Sequence, residues 1–121
     1  MIALDASALL ALLFREKGQE HVAAVIDHSC ISAVNVSEVI GRFVRDGQEA
    51  TEALRLISAL PIEIVPFGTA DATLTASLLP TTLSLGDRAW LALATSRQIS
   101  AMTADPTWLR LDLPIEIACI R

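Results

Sequence analysis

"SLGDRAWLALA", residues 84–94, decides the fold. From Ala89 to Ala94 it is apolar without a break, and only Arg88 interrupts the run after Asp87. A helix with no polar face has protein around it rather than water. Trp90 therefore belongs to the core. A carboxylate, Asp87, stands at the mouth of this buried helix, and the helix needs a layer to lie on.

The flanking segments supply that layer. Upstream, "IEIVPF" (62–67) alternates apolar and polar residues and reads as a strand. "TADATLTASLLP" (69–80) follows as a helix closed by Pro80. Downstream come a strand at "SAMTA" (100–104), a short helical turn around Pro106 to Leu109, and a strand at "IEIACI" (115–120). At the start of the chain, "IAL" (2–4) reads as a strand, followed by a helix from about Ser7 to Phe14 that "REKG" breaks. "EHVAAVID" (20–27) is helical and "CIS" (30–32) is a strand. A helix then runs from about Val36 to Arg45, ended by Gly47, and another from about Gln48 to Leu60, stopped by Pro61.

Strands separated by helices predict right-handed crossovers. The expected class is α/β: one domain over 1–121, with a central, mostly parallel sheet of four to five strands flanked by helices on both faces. In such sheets ligands bind beyond the carboxyl ends of the strands, where the strand order switches direction.

The 121 residues are 53% hydrophobic, with a mean hydropathy of +0.53. A domain of this length keeps much of its chain near the surface, so part of the apolar surplus is expected to meet a partner or a second copy. The net charge of −5 argues against a non-specific nucleic-acid binder, which needs clustered Lys and Arg. The balance changes locally if several acids are sequestered on metal, because the remaining surface is then nearer neutral. Cys30 and Cys119 lie in apolar, strand-like runs without zinc spacing, and read as free thiols of a reducing compartment. "ALLALLF" (8–14) has no preceding Lys or Arg, no cleavage pattern after it, and too little length to span a bilayer. A cytoplasmic protein without a membrane segment is expected.

Four carboxylates occupy one kind of position. Asp5 ends the first strand, Glu38 lies just inside the helix after "CIS", Asp87 opens the core helix, and Asp105 ends the "SAMTA" strand before Pro106. Each has a purely local explanation. Asp5 and Asp105 read as helix N-caps, the latter with proline in the first helical position. Asn35-x-x-Glu38 and Ser84-x-x-Asp87 have the form of capping boxes. Taken together they say more. A parallel sheet gathers strand ends and helix starts on one edge, where four acids repel and raise one another's pKa. A divalent cation removes that conflict, and Mg²⁺ or Mn²⁺ takes oxygen ligands. Helix N-termini favour ionised acids as well, so one residue can cap and ligate.

"LDASALLALL" (4–13), "SAVNVSEV" (32–39), "LSLGDRAWLALA" (83–94) and "TADPTW" (103–108) together resemble PIN-domain ribonucleases of the VapC type, the toxins of VapBC toxin–antitoxin pairs. Order, spacing and length match end to end, and the Gly-Asp-Arg phrase is the most specific piece. Pro106 and the bulky Trp90 depart from the family pattern without removing an acid. The resemblance implies a PIN-like fold and endonucleolytic RNA cleavage at an acidic pocket holding one or two Mg²⁺ or Mn²⁺ ions. Asp5, Glu38, Asp87 and Asp105 carry over as catalytic, metal-binding acids, with Ser7 and Thr103 beside them as hydrogen-bond support. It also implies a homodimer and a small VapB-like antitoxin that wraps it, in a higher hetero-oligomer, with "ALLALLFREKG" and helices 20–60 as the apolar contact surface. An antitoxin arginine can stand in the pocket in place of metal.

With no His or Lys placed as general base, metal-activated water is the expected attacking group, and products should carry a 5′-phosphate. His21 and His28 lie far from the acid motifs and read as surface residues. Arg88 is either a phosphate contact or a partner of Asp87. Arg42 and Arg45, one and two turns beyond Glu38, are either an RNA track or a solvated face. Two rival enzymes fit poorly. A haloacid-dehalogenase site wants a second Asp where Ser7 stands, and a receiver domain wants a late-strand lysine, whereas the one lysine is Lys17. The remaining alternative is a non-catalytic PIN-like binding module.

Overall fold

The computed structural model describes residues 1–78, 82–110 and 113–121. Five strands form one sheet: β1 (Ile2–Leu4), β2 (Ser29–Ser32), β3 (Glu63–Val65), β4 (Ser100–Thr103) and β5 (Ile117–Cys119). Their order is β3-β2-β1-β4-β5, and every neighbouring pair is parallel. The chain builds outward from β1 to β2 and β3. It then crosses back to place β4 on the other side of β1. The order therefore reverses between β1 and β4, and the crevice beyond their carboxyl ends is the switch point.

The helices are α1 (Ala6–Leu13), α2 (Gln19–Val25), α3 (Ala33–Arg45), α4 (Ala50–Ser58), α5 (Thr69–Ser77) and α6 (Leu85–Arg97), with 3-10 turns at Ile26–His28 and Pro106–Arg110. Strand alternation sorts the core into two faces. Ala3, Cys30 and Ala101 point to the face covered by Trp90, Leu91, Leu93 and Ala94 of α6 and by Trp108. Their neighbours Leu4, Ile31 and Met102 point the other way. There they meet α1 and α2 through Ala8, Ala11 and Val22, and α3 and α4 through Val39, Phe43, Ala53 and Ile57. Both faces are covered, which is why "SCIS" is buried at every residue.

Trp90 is fully buried. Its indole Nε1 donates to the Ala3 carbonyl oxygen at 2.9 Å, and its ring meets Trp108 edge-on at 5.1 Å. Both cysteines are free, and burial pushes the Cys30 thiol pKa up. No described helix is long and apolar enough to cross a membrane.

Several local expectations change. α3 starts at Ala33 rather than Val36, because Ser32, directly at the end of β2, caps it: the Val34 N–H donates to Ser32 Oγ at 3.2 Å. Asn35 is thus inside the first turn, and the Asn35–Glu38 capping box does not form. α5 ends at Ser77 with Leu78 extended, and Pro80, its expected stop, lies outside the described residues. α1 also uses its apolar run differently from expectation. Ala8, Leu9 and Ala11 are buried, and Leu10, Leu12, Leu13 and Phe14 pack partly into the core. The large apolar side chains left exposed beyond it on α3 and α4 are Val44, Leu54 and Leu56.

The loop between α1 and α2 turns at Gly18, with φ +93°. A Cβ there would also collide with the carbonyl oxygen of Ile120, next to β5. Gly18→Ala combines a left-handed backbone with a backbone clash. It should lower stability by about 1–3 kcal/mol in urea denaturation; an unchanged midpoint would show that the loop relaxes freely.

Candidate active site

All four predicted acids lie on the carboxyl edge of the sheet, at or beside the switch point. Two of them are caps, as their spacing predicts. The Asp5 carboxylate accepts from the Ala8 N–H at 2.9 Å and caps α1. The Asp105 Oδ1 accepts from the Thr107 N–H at 3.0 Å and the Thr107 hydroxyl at 2.8 Å, capping the turn that Pro106 begins. The other two are not needed as caps. Ser32 caps α3, and Ser84 caps α6 by accepting the Asp87 N–H at 3.1 Å. Glu38 and Asp87 are carboxylates that helix termination does not require.

Asp5 is the most constrained of the four, only 7% exposed. Ser7 Oγ donates to its Oδ1 at 2.7 Å, and Thr103 Oγ1 donates to its Oδ2 at 2.6 Å. Each hydroxyl uses its one proton on Asp5 and accepts in return. Ser7 Oγ takes the Ala104 N–H at 2.9 Å, and Thr103 Oγ1 takes the Asp105 N–H at 3.1 Å. The result is a chain of bonds from β1 through β4 to Asp105. Burial raises the Asp5 pKa, and the negative charge of Asp87 raises it further, against the lowering effect of the Thr103, Ser7 and Ala8 hydrogen bonds.

Glu38 projects from α3 toward the start of α6. The Asn35 side-chain amide donates to Glu38 Oε1 at 2.8 Å and to the Gly86 carbonyl oxygen at 3.0 Å. A Cβ on Gly86 would land on the Glu38 carboxyl group. The structure therefore joins Asp5, Ser7, Thr103 and Asp105 in one network, sets Asp87 electrostatically beside Asp5, and ties Glu38 to the residue before Asp87. Among the described residues, no three His, Cys, Asp or Glu side chains lie close enough as they stand to hold one metal ion. Glu38 and Asp105 are exposed, whereas Asp5 is buried and Asp87 half-buried.

Arg88 is half-buried, and its Nε has no partner among the described residues. Arg42 is already engaged: it pairs with Asp46 at 3.4 Å and lies over the Phe14 ring at 4.7 Å. That leaves exposed Arg45 as the less committed half of the expected basic track. His21 and His28 are exposed beside Glu20 and Asp27. Sequence reasoning missed Asn35 and Gly86 as neighbours of the site. The available signal was a glycine in the first turn of an otherwise strongly apolar helix, where alanine is the better helix former.

No curated protein sequence matches the chain. Among solved structures it is similar to a toxin–antitoxin complex from Klebsiella pneumoniae, with TM-score 0.77 and 19% identity over 100% of this chain and 98% of that one. It is also similar to DNA-bound VapBC from Salmonella typhimurium, with TM-score 0.73 and 17% identity over 99% and 98%. VapC20 of Mycobacterium tuberculosis, a sarcin–ricin-loop-cleaving toxin, gives TM-score 0.72 and 14% identity over 91% and 94%. At these identities the likeness is one of fold. The PIN domain family model matches residues 2–113, nearly the whole chain, and with the parallel sheet and the acids on its carboxyl edge it shows that the chain belongs to the PIN domain family.

Proposed function

We propose that this protein is a metal-dependent endoribonuclease, the toxin of a toxin–antitoxin pair. One observation carries the reading. Glu38 and Asp87 stand at the carboxyl edge of the sheet although serines cap both of their helices, and the Asp87 charge acts on a buried Asp5 whose own charge burial disfavours. Carboxylates that raise one another's pKa are relieved by a counter-charge between them. A donor set made only of carboxylate oxygens suits Mg²⁺ or Mn²⁺. Asp5, Glu38, Asp87 and Asp105 would hold one or two such ions, with exposed Asp105 drawn in toward the others. When bound, the cation supplies Lewis acidity at a phosphate and eases deprotonation of water.

The chain's own residues do the rest. Ser7, Thr103 and the Ala8 N–H fix the Asp5 carboxylate in one orientation. Asp105 is exposed at the open edge of the site, so it is the proposed proton-transfer group. Water is the attacking group, because neither histidine nor Lys17 stands with the acids; Lys17 lies in the loop between α1 and α2. Half-buried Arg88, adjacent to Asp87, is the proposed contact for a substrate phosphate.

Two of the similar structures are complexes with an antitoxin and the third is a toxin that cleaves RNA, which supports the same assignment here. A small antitoxin and a second copy of the chain are the proposed partners. Val44, Leu54 and Leu56 are apolar surface available to them, and the cytoplasm is the proposed compartment.

The test is cleavage of total RNA by purified, antitoxin-free protein with Mn²⁺, with Mg²⁺ and with chelator, beside Asp87→Asn. Metal-dependent cleavage that the variant lacks, leaving 5′-phosphate ends, is the expected result. Ends carrying 2′,3′-cyclic phosphate would replace water by the RNA 2′-hydroxyl. Failure both to cleave and to bind Mn²⁺ would favour a non-catalytic PIN-like binding module.

A further inference from the structure

We infer that Asn35 and Gly86 form a clasp that positions the Glu38 carboxylate at the N-terminus of α6; its purpose, holding Glu38 ready for a divalent cation, rests on the nuclease reading above. Asn35 is 1% exposed, and an amide that deeply buried is costly unless its polar atoms are paired. Yet only its nitrogen is paired. Nδ2 donates to Glu38 and to the Gly86 carbonyl, while Oδ1 has no partner among the described residues. A buried polar atom left unsatisfied calls for a reason, and the two bonds of the nitrogen supply one. Here the nitrogen joins α3 to α6 through the Gly86 carbonyl and holds the Glu38 carboxylate beside that junction.

Gly86 completes the arrangement from the α6 side. It does not have the positive φ that would demand glycine; among the described glycines, only Gly18 and Gly47 do. It occupies a helical position where alanine is ordinarily the better helix former. What it supplies is space, because the Glu38 carboxyl group occupies the volume a Cβ would fill. One residue donates to the carboxylate and the other leaves room for it. Glu38 is exposed on a side chain with three rotatable bonds, so its ordering would otherwise fall on the ligand-binding step. Asn35 and Gly86 are positioning residues: neither has to touch metal or RNA. Partners of this kind are typically worth about 10–100-fold in metal affinity.

The test is a cycle of full-length variants titrated with Mn²⁺ alone by calorimetry. Asn35→Ala and Gly86→Ala are each made in the wild-type and the Glu38→Ala backgrounds. Each is expected to weaken Mn²⁺ binding about tenfold or more in the wild type and to change nothing further once Glu38 is gone. Equal losses in both backgrounds, or no loss in either, overturn the clasp. Gly86→Ala guards against misfolding, since alanine favours the helix. A metal-free arm separates this inference from the nuclease reading. In chelator, one Asn35 side-chain amide resonance is expected to move in the Glu38→Ala protein. If wild-type protein binds no Mn²⁺, the nuclease reading falls and this arm alone judges the clasp. A resonance that moves keeps it, and one that stays overturns it.

Discussion

Asp5→Asn is expected to abolish metal-dependent RNA cleavage, by more than about 100-fold, beyond what loss of a mere outer partner of a metal site costs, while making the metal-free protein more stable. The two effects have one cause. Asparagine caps a helix about as well as aspartate, so α1 should keep its start. What changes is the charge and one acceptor, since an amide nitrogen in place of Oδ2 donates to the Thr103 hydroxyl instead of accepting from it. In the native protein Asp5 is buried beside Asp87 and its pKa is raised from 3.8. The folded state therefore holds the Asp5 proton to higher pH than the unfolded chain does. That contribution to stability is fully present below the unfolded value and is lost as pH rises through the raised native one. Asparagine carries no such dependence. In chelator, the melting temperature of Asp5→Asn should therefore exceed that of wild type by a margin that opens as pH rises above about 4 and is largest near neutrality. If Asp5 were a cap and nothing more, cleavage would survive and the margin would be flat with pH. Added Mn²⁺ should narrow the gap by stabilising only the wild type.

Trp90→Ala is expected to have the largest effect on the fold. The side chain is fully buried between sheet and α6, against Trp108, with its indole N–H bonded to Ala3. Truncation leaves a cavity at the centre of one core face. Such changes cost about 3–5 kcal/mol, against a total of about 5–15 kcal/mol for a domain. A fall in melting temperature of roughly 15 °C or more is expected by thermal denaturation. Trp90→Phe keeps an aromatic ring but loses the donor, and should cost only about 1–2 kcal/mol. Similar losses for the two variants would mean that the hydrogen bond, rather than the packed volume, dominates at this site.

How far the sequence reaches is clearest element by element. The unbroken apolar run of α6 could only be a buried helix. The alternation at 62–67 and the short apolar run at 2–4 could only be strands beside it. Element type, the parallel sheet and its covering on both faces follow from local pattern alone, because periodicity of burial is a one-dimensional signal. Asp5 and Asp105 as caps were readable for the same reason: a cap bonds within three residues of itself. The start of α3 was not, because Ser32, Asn35 and Glu38 all offer capping chemistry, and only the end of β2 at Ser32 decides among them.

The site itself divides in the same way. The sequence alone determined which residues carry charge and that they sit at strand ends and helix starts. Tertiary structure decided which of them meet. Thr103 reaches Asp5 across 98 positions, and Asn35 reaches Gly86 across 51, contacts that exist only once β4 has paired with β1 and α6 has packed beside α3. The fate of the arginines was settled there too, with Arg42 drawn to Phe14 and Asp46 while Arg88 stays beside Asp87. Local pattern fixes what a residue can do, since propensity and burial act over a few positions. Which partner it does it with depends on the path by which the chain returns to itself, and that is set by the packing of the whole sheet.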